Sequence, residues 1–191
     1  FTISQPAALS STLNITGTTC SAANGAITVN ANGGTPNYQY SFNNGVNYQQ
    51  SASYNGITAG SYNIVISDAN GCTSTAIASV PNAPGPIISN TTSSNVTCFG
   101  LNNGTANITI TSGTAPVAYS LNGGTSQANG VYSNLGPGTY NVLVTDANGC
   151  TTNTNFNITQ PSGISATSNS TNSTCGNSDG SLTINAVGGT S

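Results

Sequence analysis

The sequence contains no cationic side chain: Lys, Arg and His are all absent from its 191 residues, as are Glu, Met and Trp. Nucleic acids and anionic membrane surfaces are bound mainly through Lys and Arg, which neutralise phosphate groups. The composition therefore excludes nucleic acid as a partner. No apolar run approaches the roughly 20 residues of a membrane-spanning helix, so we also expect no membrane insertion by this segment.

Acidic groups are almost as scarce, because Asp68, Asp146 and Asp179 carry the only side-chain carboxylates. General acid–base catalysis usually relies on His, Asp, Glu or Lys, and a Ser or Thr nucleophile needs an adjacent base. The sequence is rich in Ser and Thr but supplies no such base. We therefore expect that this chain is not an enzyme and uses no cofactor.

Asn, Thr, Ser and Gly occupy the places that charged residues usually fill. Such polarity can indicate disorder, but disordered chains usually combine high net charge with few β-branched or aromatic residues. Here the formal net charge is only −3, 35% of the residues are hydrophobic, and Val, Ile, Thr and Tyr are frequent. The composition therefore favours a β-rich fold with an uncharged surface.

What the sequence does contain is an internal repeat. Cys72 and Cys150 are 78 positions apart, and the sequence Asp-Ala-Asn-Gly-Cys-Thr surrounds both of them. Residues 24–35 return in similar form at residues 179–190. This spacing divides the chain into the tail of a preceding repeat, two whole repeats and the first part of a further repeat. The predicted bounds of these four parts are residues 1–6, 7–81, 82–161 and 162–191, and we expect a large parent protein that continues in both directions.

Each repeat shows the period-two alternation of β-strands and no helical period. Tyr62, Ile64 and Ile66, for example, alternate with their neighbours. Short strands separated by turns every 8–12 residues predict an all-β fold, with tandem immunoglobulin-like β-sandwich domains in a linear array. Tyr62 and Tyr140 lie near the start of the penultimate predicted strand, which makes them candidate tyrosine corners.

The repeated Asp-Ala-Asn-Gly sequence predicts a hairpin turn, since Asp can accept backbone hydrogen bonds and Gly can adopt positive φ. The turn residues are Asp68, Asn70, Gly71, Asp146, Asn148 and Gly149. The sequence Asp-x-Asn-Gly also resembles part of a calcium-binding loop, but one carboxylate is too few for tight binding and the distant acidic ligand is missing. A structural turn is therefore favoured, and no metal site is predicted.

The five cysteines follow the repeat, which indicates disulfides and an oxidising compartment. A metal site is disfavoured because His and the Cys-x-x-Cys motif are absent. Two pairing schemes fit the spacing. Pairing within repeats joins Cys20 to Cys72 and Cys98 to Cys150, whereas the alternative joins Cys72 to Cys98 and Cys150 to Cys175. The equal spacing of the first two pairs favours the scheme within repeats.

The number of strands in each repeat bears on that choice. Cys20 precedes the predicted strand at Ile27, and Cys72 follows the predicted strand at Tyr62. If one strand lies between the strands at Tyr40 and Tyr62, both cysteines fall at the same end of the sandwich. If two strands lie there, the cysteines fall at opposite ends, too far apart to bond.

Several motifs together resemble the SprB-type repeat of giant cell-surface adhesins from gliding Bacteroidetes. They are the cysteine before a short apolar strand, Gly-Gly-Thr-Pro at residues 33–36, the sequence Gly-Thr-Tyr-Asn-Val-Leu-Val-Thr-Asp-Ala-Asn-Gly-Cys-Thr at residues 138–151, and Ile-Thr-Gln-Pro at residues 158–161. The resemblance implies an immunoglobulin-like fold, export by the type IX secretion route, and a place on the cell surface in adhesion or gliding.

The leading hypothesis for function is a structural or adhesive segment, a stalk or adhesin, in which neighbouring repeats of the same chain are the main partners. Self-association with other copies into an extracellular filament is an alternative, since no Lys, Arg or Glu protects the strand edges. Binding of surface glycans is another, and ice binding through rows of Thr and Asn is a fourth. Aromatic candidates for surface contacts are Tyr38, Tyr48, Tyr54 and Tyr132, although a sandwich core also needs such residues.

Overall fold

The computed structural model describes residues 5–189, and these residues form seventeen β-strands and no helix. The predicted all-β class is confirmed. Residues 1–4 of the predicted N-terminal tail and residues 190–191 of the final partial repeat lie outside the described residues. Nothing within the described range is a helix of the length and apolarity needed to cross a membrane. The chain divides into two compact units.

The first unit comprises Phe1–Pro86 together with two loops of the second repeat, Ser112–Pro116 and Asp146–Thr151. Its strands are β1 (Ser10–Thr16), β2 (Thr18–Thr19), β3 (Gly25–Asn32), β4 (Gln39–Ser41), β5 (Ser53–Ile57), β6 (Gly60–Ser67), β7 (Thr73–Val80) and β8 (Asn82–Ala83). They form one sheet in the order β1-β3-β5, a second in the order β4-β6-β7, and a short parallel pair of β2 with β8.

The two sheets of this unit enclose a single apolar core. Alternate residues of β3 and β6 point inward, so that Ile27, Val29, Ile64 and Ile66 are at most 2% exposed. Tyr40 and other apolar side chains complete the same cluster. Burial of one such Ile or Val side chain stabilises the fold by roughly 1.5–3 kcal/mol. The period-two pattern of the sequence therefore produces the sandwich directly.

The second unit comprises Ile87–Thr111, Val117–Thr145 and Thr152–Ser191. Strands of the second repeat are β9 (Ile88–Ser94), β10 (Gly104–Ile110), β11 (Ala118–Leu121), β12 (Ser126–Gln127), β13 (Val131–Leu135), β14 (Gly138–Thr145) and β15 (Thr151–Ile158). They form the sheets β13-β10-β9 and β12-β11-β14-β15 around a core of their own. The partial third repeat adds a hairpin of β16 (Ser165–Thr171) and β17 (Ser181–Val187), in which every residue is exposed.

Both sandwiches have the strand arrangement of an immunoglobulin-like domain. In each repeat one sheet contains the first two long strands and the strand before the tyrosine-corner strand, with the second long strand in the middle, as in the A-B-E sheet of that fold. The remaining strands form the C-F-G sheet. β12 adds an edge strand beside β11 in the second repeat. The topology therefore supports the immunoglobulin-like class without reference to any other protein.

The strand count also decides where the cysteines lie. Between β4 and β6 the chain makes an isolated bridge of Tyr40 with Gln49 and then forms β5, so two extended segments lie there rather than one. The additional reversal of the chain places Cys20, before β3, and Cys72, after β6, at opposite ends of the sandwich. A disulfide within the repeat is therefore geometrically excluded.

Candidate functional site

The first Asp-Ala-Asn-Gly-Cys hairpin is organised around the carboxylate of Asp68. Its Oδ1 accepts the backbone N–H groups of Asn70 (2.9 Å) and Cys72 (2.8 Å), and its Oδ2 accepts the N–H of Thr35 (2.9 Å). Gly71 has φ +79°, in the left-handed region that glycine adopts without strain. The turn is thereby tied to the loop between β3 and β4.

The second copy repeats this geometry closely. Asp146 accepts the N–H groups of Asn148 (3.0 Å), Cys150 (2.9 Å) and Thr114 (3.0 Å). In both copies the Asn side chain donates to a Thr hydroxyl of the tied loop at 2.8 Å. Two segments of nearly identical sequence thus form the same hydrogen-bonded turn.

These contacts also define the chemistry of the two carboxylates. The backbone N–H of Thr35, with those of Cys72 and Asn70, lowers the pKa of Asp68 despite partial desolvation, which acts in the opposite direction. The N–H of Thr114 likewise lowers the pKa of Asp146. Since N–H groups point their positive ends at both oxygens, the surroundings oppose a cation. This geometry is that of a structural turn rather than a calcium ligand.

A hydrogen bond to the backbone four residues upstream characterises both candidate tyrosine corners. The hydroxyl of Tyr62 donates to the carbonyl oxygen of Thr58 at 2.8 Å, and that of Tyr140 donates to Gly136 at 3.0 Å. This upstream backbone contact is the one that defines the corner in immunoglobulin-like domains. Each phenol holds the turn before its strand, β6 or β14, in place.

The disulfide differs from both predicted schemes. Cys20 bonds to Cys150, 130 residues later, with a Cα–Cα distance of 5.3 Å, within the usual range. Cys72, Cys98 and Cys175 are free and exposed. The predicted pairs Cys20–Cys72 and Cys98–Cys150 are therefore wrong, and so are the alternatives Cys72–Cys98 and Cys150–Cys175. The first cysteine of one repeat bonds instead to the hairpin cysteine of the next.

Backbone hydrogen bonds hold the segment around Cys20 in position. The N–H of Thr18 donates to Pro81 (2.8 Å), and the N–H of Cys20 donates to Ala83 (3.0 Å). Gly85 provides space on the other side, since a Cβ there would lie 2.8 Å from the Cβ of Cys150. The equal spacing of cysteines in the sequence could not reveal this pairing, because it depends on which end of a sandwich each cysteine occupies.

A small groove of about 210 Å³ in the first repeat gathers aromatic and amide side chains. Tyr48 and Tyr54 are 42% and 38% exposed, and the ring of Tyr54 stacks on Phe42 with centroids 4.9 Å apart. The remaining lining residues are Tyr40, Asn43, Asn47 and Gln49. The sequence predicted the two exposed tyrosines as surface contacts but not the amides, which become neighbours only when the loop after β4 folds back.

The other two predicted surface tyrosines have different roles. Tyr38 is half-buried, and its hydroxyl donates to the carbonyl of Gly33 at 2.7 Å. Tyr132 is only 8% exposed and belongs to the core of the second unit, so its assignment as a surface contact is wrong. Its hydroxyl has no hydrogen-bond partner among the described residues, and burial raises its pKa. The alternation along β13 turns Tyr132 inward and Val131 outward.

The fold and the repeated turns define a tandem immunoglobulin-like sandwich protein with a covalent link between repeats. Two segments of the chain, residues 12–47 and 90–126, match the SprB repeat family. Each segment begins in the first strand of its sandwich and includes the first cysteine. The predicted resemblance is confirmed for these two segments, which lie at equivalent places in the two sandwiches.

Comparisons beyond the family give distant likenesses only. No curated protein sequence matches the chain. The structure is similar to a C-terminal 282-residue fragment of intimin in complex with the translocated intimin receptor intimin-binding domain (13% identity, covering 84% of this chain and 67% of that one, TM-score 0.45). It is also similar to extracellular domains 3–5 of Drosophila OTK (10% identity, coverage 92% and 76%, TM-score 0.29). Both scores are below 0.5, so neither likeness carries an argument here.

Proposed function

We propose that this chain is a structural and adhesive segment, a stalk or adhesin, of a large secreted bacterial surface protein. The observation that carries the proposal is the cross-repeat disulfide Cys20–Cys150 in a chain of SprB repeats. Disulfides persist in oxidising, extracellular surroundings, and a bond between successive domains is suited to a protein whose role is to remain assembled there. The role is non-catalytic and requires no cofactor.

The chemistry of the surface supports contact with solid or glycan-coated surfaces and not with charged polymers. With no cation and only three carboxylates, binding depends on hydrogen bonds from amides and hydroxyls and on apolar contact. Such contacts are not screened by salt. Partners of this kind are neighbouring repeats, other copies of the chain laterally, and surface glycans. Export by the type IX route and a part in gliding are included in the proposal through the SprB resemblance.

The test is to label intact, non-permeabilised cells of the source organism with an antibody raised against this chain and to image them by electron microscopy. We expect label on extracellular material at the cell surface. A companion assay measures binding of chain-coated beads to the organism's growth surface from about 10 mM to 1 M NaCl, where screening lengths fall from about 30 to 3 Å. Label that requires cell lysis, or binding abolished by salt, would contradict the proposal.

A second candidate function, glycan binding, is favoured specifically by the aromatic groove of the first repeat. Aromatic faces pack against sugar C–H groups, while the amide of Asn47 offers both a donor and an acceptor to hydroxyls and the side-chain oxygen of Gln49 offers an acceptor. In the second repeat Ser126 takes the place of Tyr48, beside Gln127 in the place of Gln49. Gln49 and Gln127 make equivalent hydrogen bonds to their own loops. Both repeats therefore have the same loop structure at this place, but only the first repeat has the exposed tyrosine.

A glycan array tests this candidate with the intact chain. We expect Tyr48→Ala to abolish binding to any glycan that the chain recognises. Ser126→Ala, at the equivalent position in the second repeat, is the matched control and should leave binding unchanged. If the chain binds no glycan, or if both variants behave alike, the groove is not a glycan site.

A further inference from the structure

We propose that Cys20–Cys150 is one member of a continuous series, in which the first cysteine of each repeat bonds to the hairpin cysteine of the repeat that follows it. In this series Cys98 and Cys175 each bond to the hairpin cysteine of a following repeat. Cys72 bonds to the first cysteine of a preceding repeat. The inference goes beyond the proposed function, because it concerns covalent assembly whether or not the surface adheres to anything.

The segment that presents the first cysteine is built in the same way in every copy. A Thr precedes the cysteine, and its N–H and hydroxyl both bond to the side chain of an Asn or Asp five or six residues further on. The three pairs are Thr19 with Asn24, Thr97 with Asn103 and Thr174 with Asp179. The free cysteines Cys98 and Cys175 therefore follow the same Thr–Asn or Thr–Asp hydrogen-bonded pair as the bonded Cys20.

The hairpin that presents the other cysteine of each pair also has the same geometry whether or not the disulfide is formed. Asp68 and Asp146 make the same three backbone hydrogen bonds, although Cys150 is bonded and 4% exposed while Cys72 is a free, exposed thiol. A groove of about 290 Å³ lies beside Cys72, lined in part by Ala7 and Asp68. In our proposal the first-cysteine segment of a preceding repeat occupies this groove.

An open groove also lies beside Cys98, as one does beside Cys72. A groove of about 440 Å³ is lined by Cys98, Phe99 and Gly163, among others. Gly163 lies 78 positions after Gly85, the glycine that makes room for the hairpin cysteine in the bonded pair. The occupant that fits is therefore the Asp-Ala-Asn-Gly-Cys hairpin of a following repeat.

Bond formation is an ordinary two-electron oxidation. The thiolate of one cysteine attacks a small disulfide such as oxidised glutathione, which forms a mixed disulfide and releases one reduced glutathione. The thiolate of the second cysteine then attacks the protein sulfur of that mixed disulfide and releases the other. Two thiols lose two protons and two electrons, and the glutathione disulfide is reduced to two thiols.

The first measurement uses the chain itself, oxidised in a glutathione buffer and digested without reduction. Chymotrypsin is the appropriate protease, because trypsin has no site in a chain without Lys and Arg. We expect a linked pair of peptides containing Cys20 and Cys150, an alkylated peptide 63–99 that contains both Cys72 and Cys98, and an alkylated peptide with Cys175. Absence of the Cys20–Cys150 link would remove the premise and overturn the proposal.

The second measurement uses a longer chain in which residues 7–161 are inserted again after Pro161. The new junction Gln-Pro-Ala reproduces the native sequence of residues 5–7. We expect Cys20–Cys150 links in both copies and one new link, from Cys98 of the first copy to Cys72 of the second. Because the two copies give the same peptides, the alkylated fraction of Cys98 summed over both copies should fall from nearly all to about half.

Two matched variants identify which Cys72 takes part. Replacing Cys72 by Ser in the first copy alone should leave the new link intact, whereas the same change in the second copy alone should abolish it. If Cys98 stays fully alkylatable in both copies of the longer chain, the proposal is contradicted. If the link depends instead on Cys72 of the first copy, Cys98 pairs with the hairpin cysteine of the repeat before it. That result would also overturn the proposal.

Discussion

The two Asp-Ala-Asn-Gly-Cys hairpins share one hydrogen-bond pattern and differ in what becomes of their cysteine. The three bonds to Asp68 and the three to Asp146 agree within about 0.1 Å in length. Cys72 is nevertheless an exposed thiol, and Cys150 is a buried half of a disulfide. The hairpin is therefore determined by its own sequence, whereas the disulfide is determined by the repeat beside it.

The largest effect should come from removing the disulfide that distinguishes the two hairpins. Closing a 130-residue loop is worth about 5 kcal/mol in the chain-entropy model. We expect Cys20→Ser to lower the free energy of unfolding by up to that amount, measured by denaturant titration. Cys98→Ser, at the same place in the next repeat, should change it little. Equal effects of the two variants would show that the bond does not form.

A core substitution tests whether the first hairpin depends on the sandwich that carries it. Ile64 in β6 is fully buried, and Ile→Ala changes in cores cost about 2–5 kcal/mol. We expect Ile64→Ala to lower the free energy of unfolding in that range. Ile77→Ala in β7, where the side chain is 70% exposed, should change it by less than about 0.5 kcal/mol. A comparable loss in both variants would mean that the core is wrongly assigned.

Substitution of the turn carboxylates should affect the two hairpins alike. Asn in place of Asp68 or Asp146 retains one acceptor but places an amide NH₂ against a backbone N–H, which leaves donors unsatisfied. We expect each variant to lower the Tm by several degrees. Asp179→Asn, in the exposed β16–β17 hairpin, is the control and should have a smaller effect. If Asp68→Asn and Asp146→Asn lower the Tm by different amounts, the disulfide contributes to the stability of the second turn.

The same carboxylates should set the response of stability to acid. Their pKa is lowered in the folded state, so their contribution is complete above the unfolded value of about 3.9 and is lost as pH falls through the folded value. We expect a Tm that is flat from pH 8 to about 5 and falls below about pH 4. The chain has no His, so a slope near neutrality would point to a bound group that the sequence does not contain.

The smallest effect should come from the tyrosine corners, which occupy equivalent places before the two hairpins. Tyr62→Phe and Tyr140→Phe each remove one hydrogen bond to a backbone carbonyl, worth about 1 kcal/mol. Tyr48→Phe, on the exposed groove, should be neutral and serves as the control. The losses are measured by denaturant titration. A neutral Tyr62→Phe would show that the corner bond is replaced by water at no cost.

The sequence predicted the features that depend on local chemistry. Alternation around Ile64 predicted a strand with one buried face, and Asp-Ala-Asn-Gly predicted the turns at Asp68 and Asp146. These succeed because the determinants are neighbours along the chain. Tyr132 was misassigned because period-two alternation does not say which of two neighbouring side chains faces the core.

The disulfide could not be predicted for a different reason. Its partners lie in different repeats, and their proximity depends on how many times the chain reverses between Cys20 and Cys72. The bridge at Gln49 is a single residue pair without a strand pattern of its own, so the sequence could not count it. The same is true of the aromatic groove, whose amides are contributed by that loop.

The disulfide also limits how far the chain can lengthen when its ends are pulled apart. A fully extended chain spans about 3.4 Å per residue, so the reduced chain could reach about 650 Å. With Cys20 and Cys150 joined, only the residues before the first and after the second contribute, about 200 Å by the same measure. Mechanical unfolding of the strands between Cys20 and Cys150 would therefore add almost no length to the chain. Under load the residues enclosed by the bond therefore lie outside the path of the applied force.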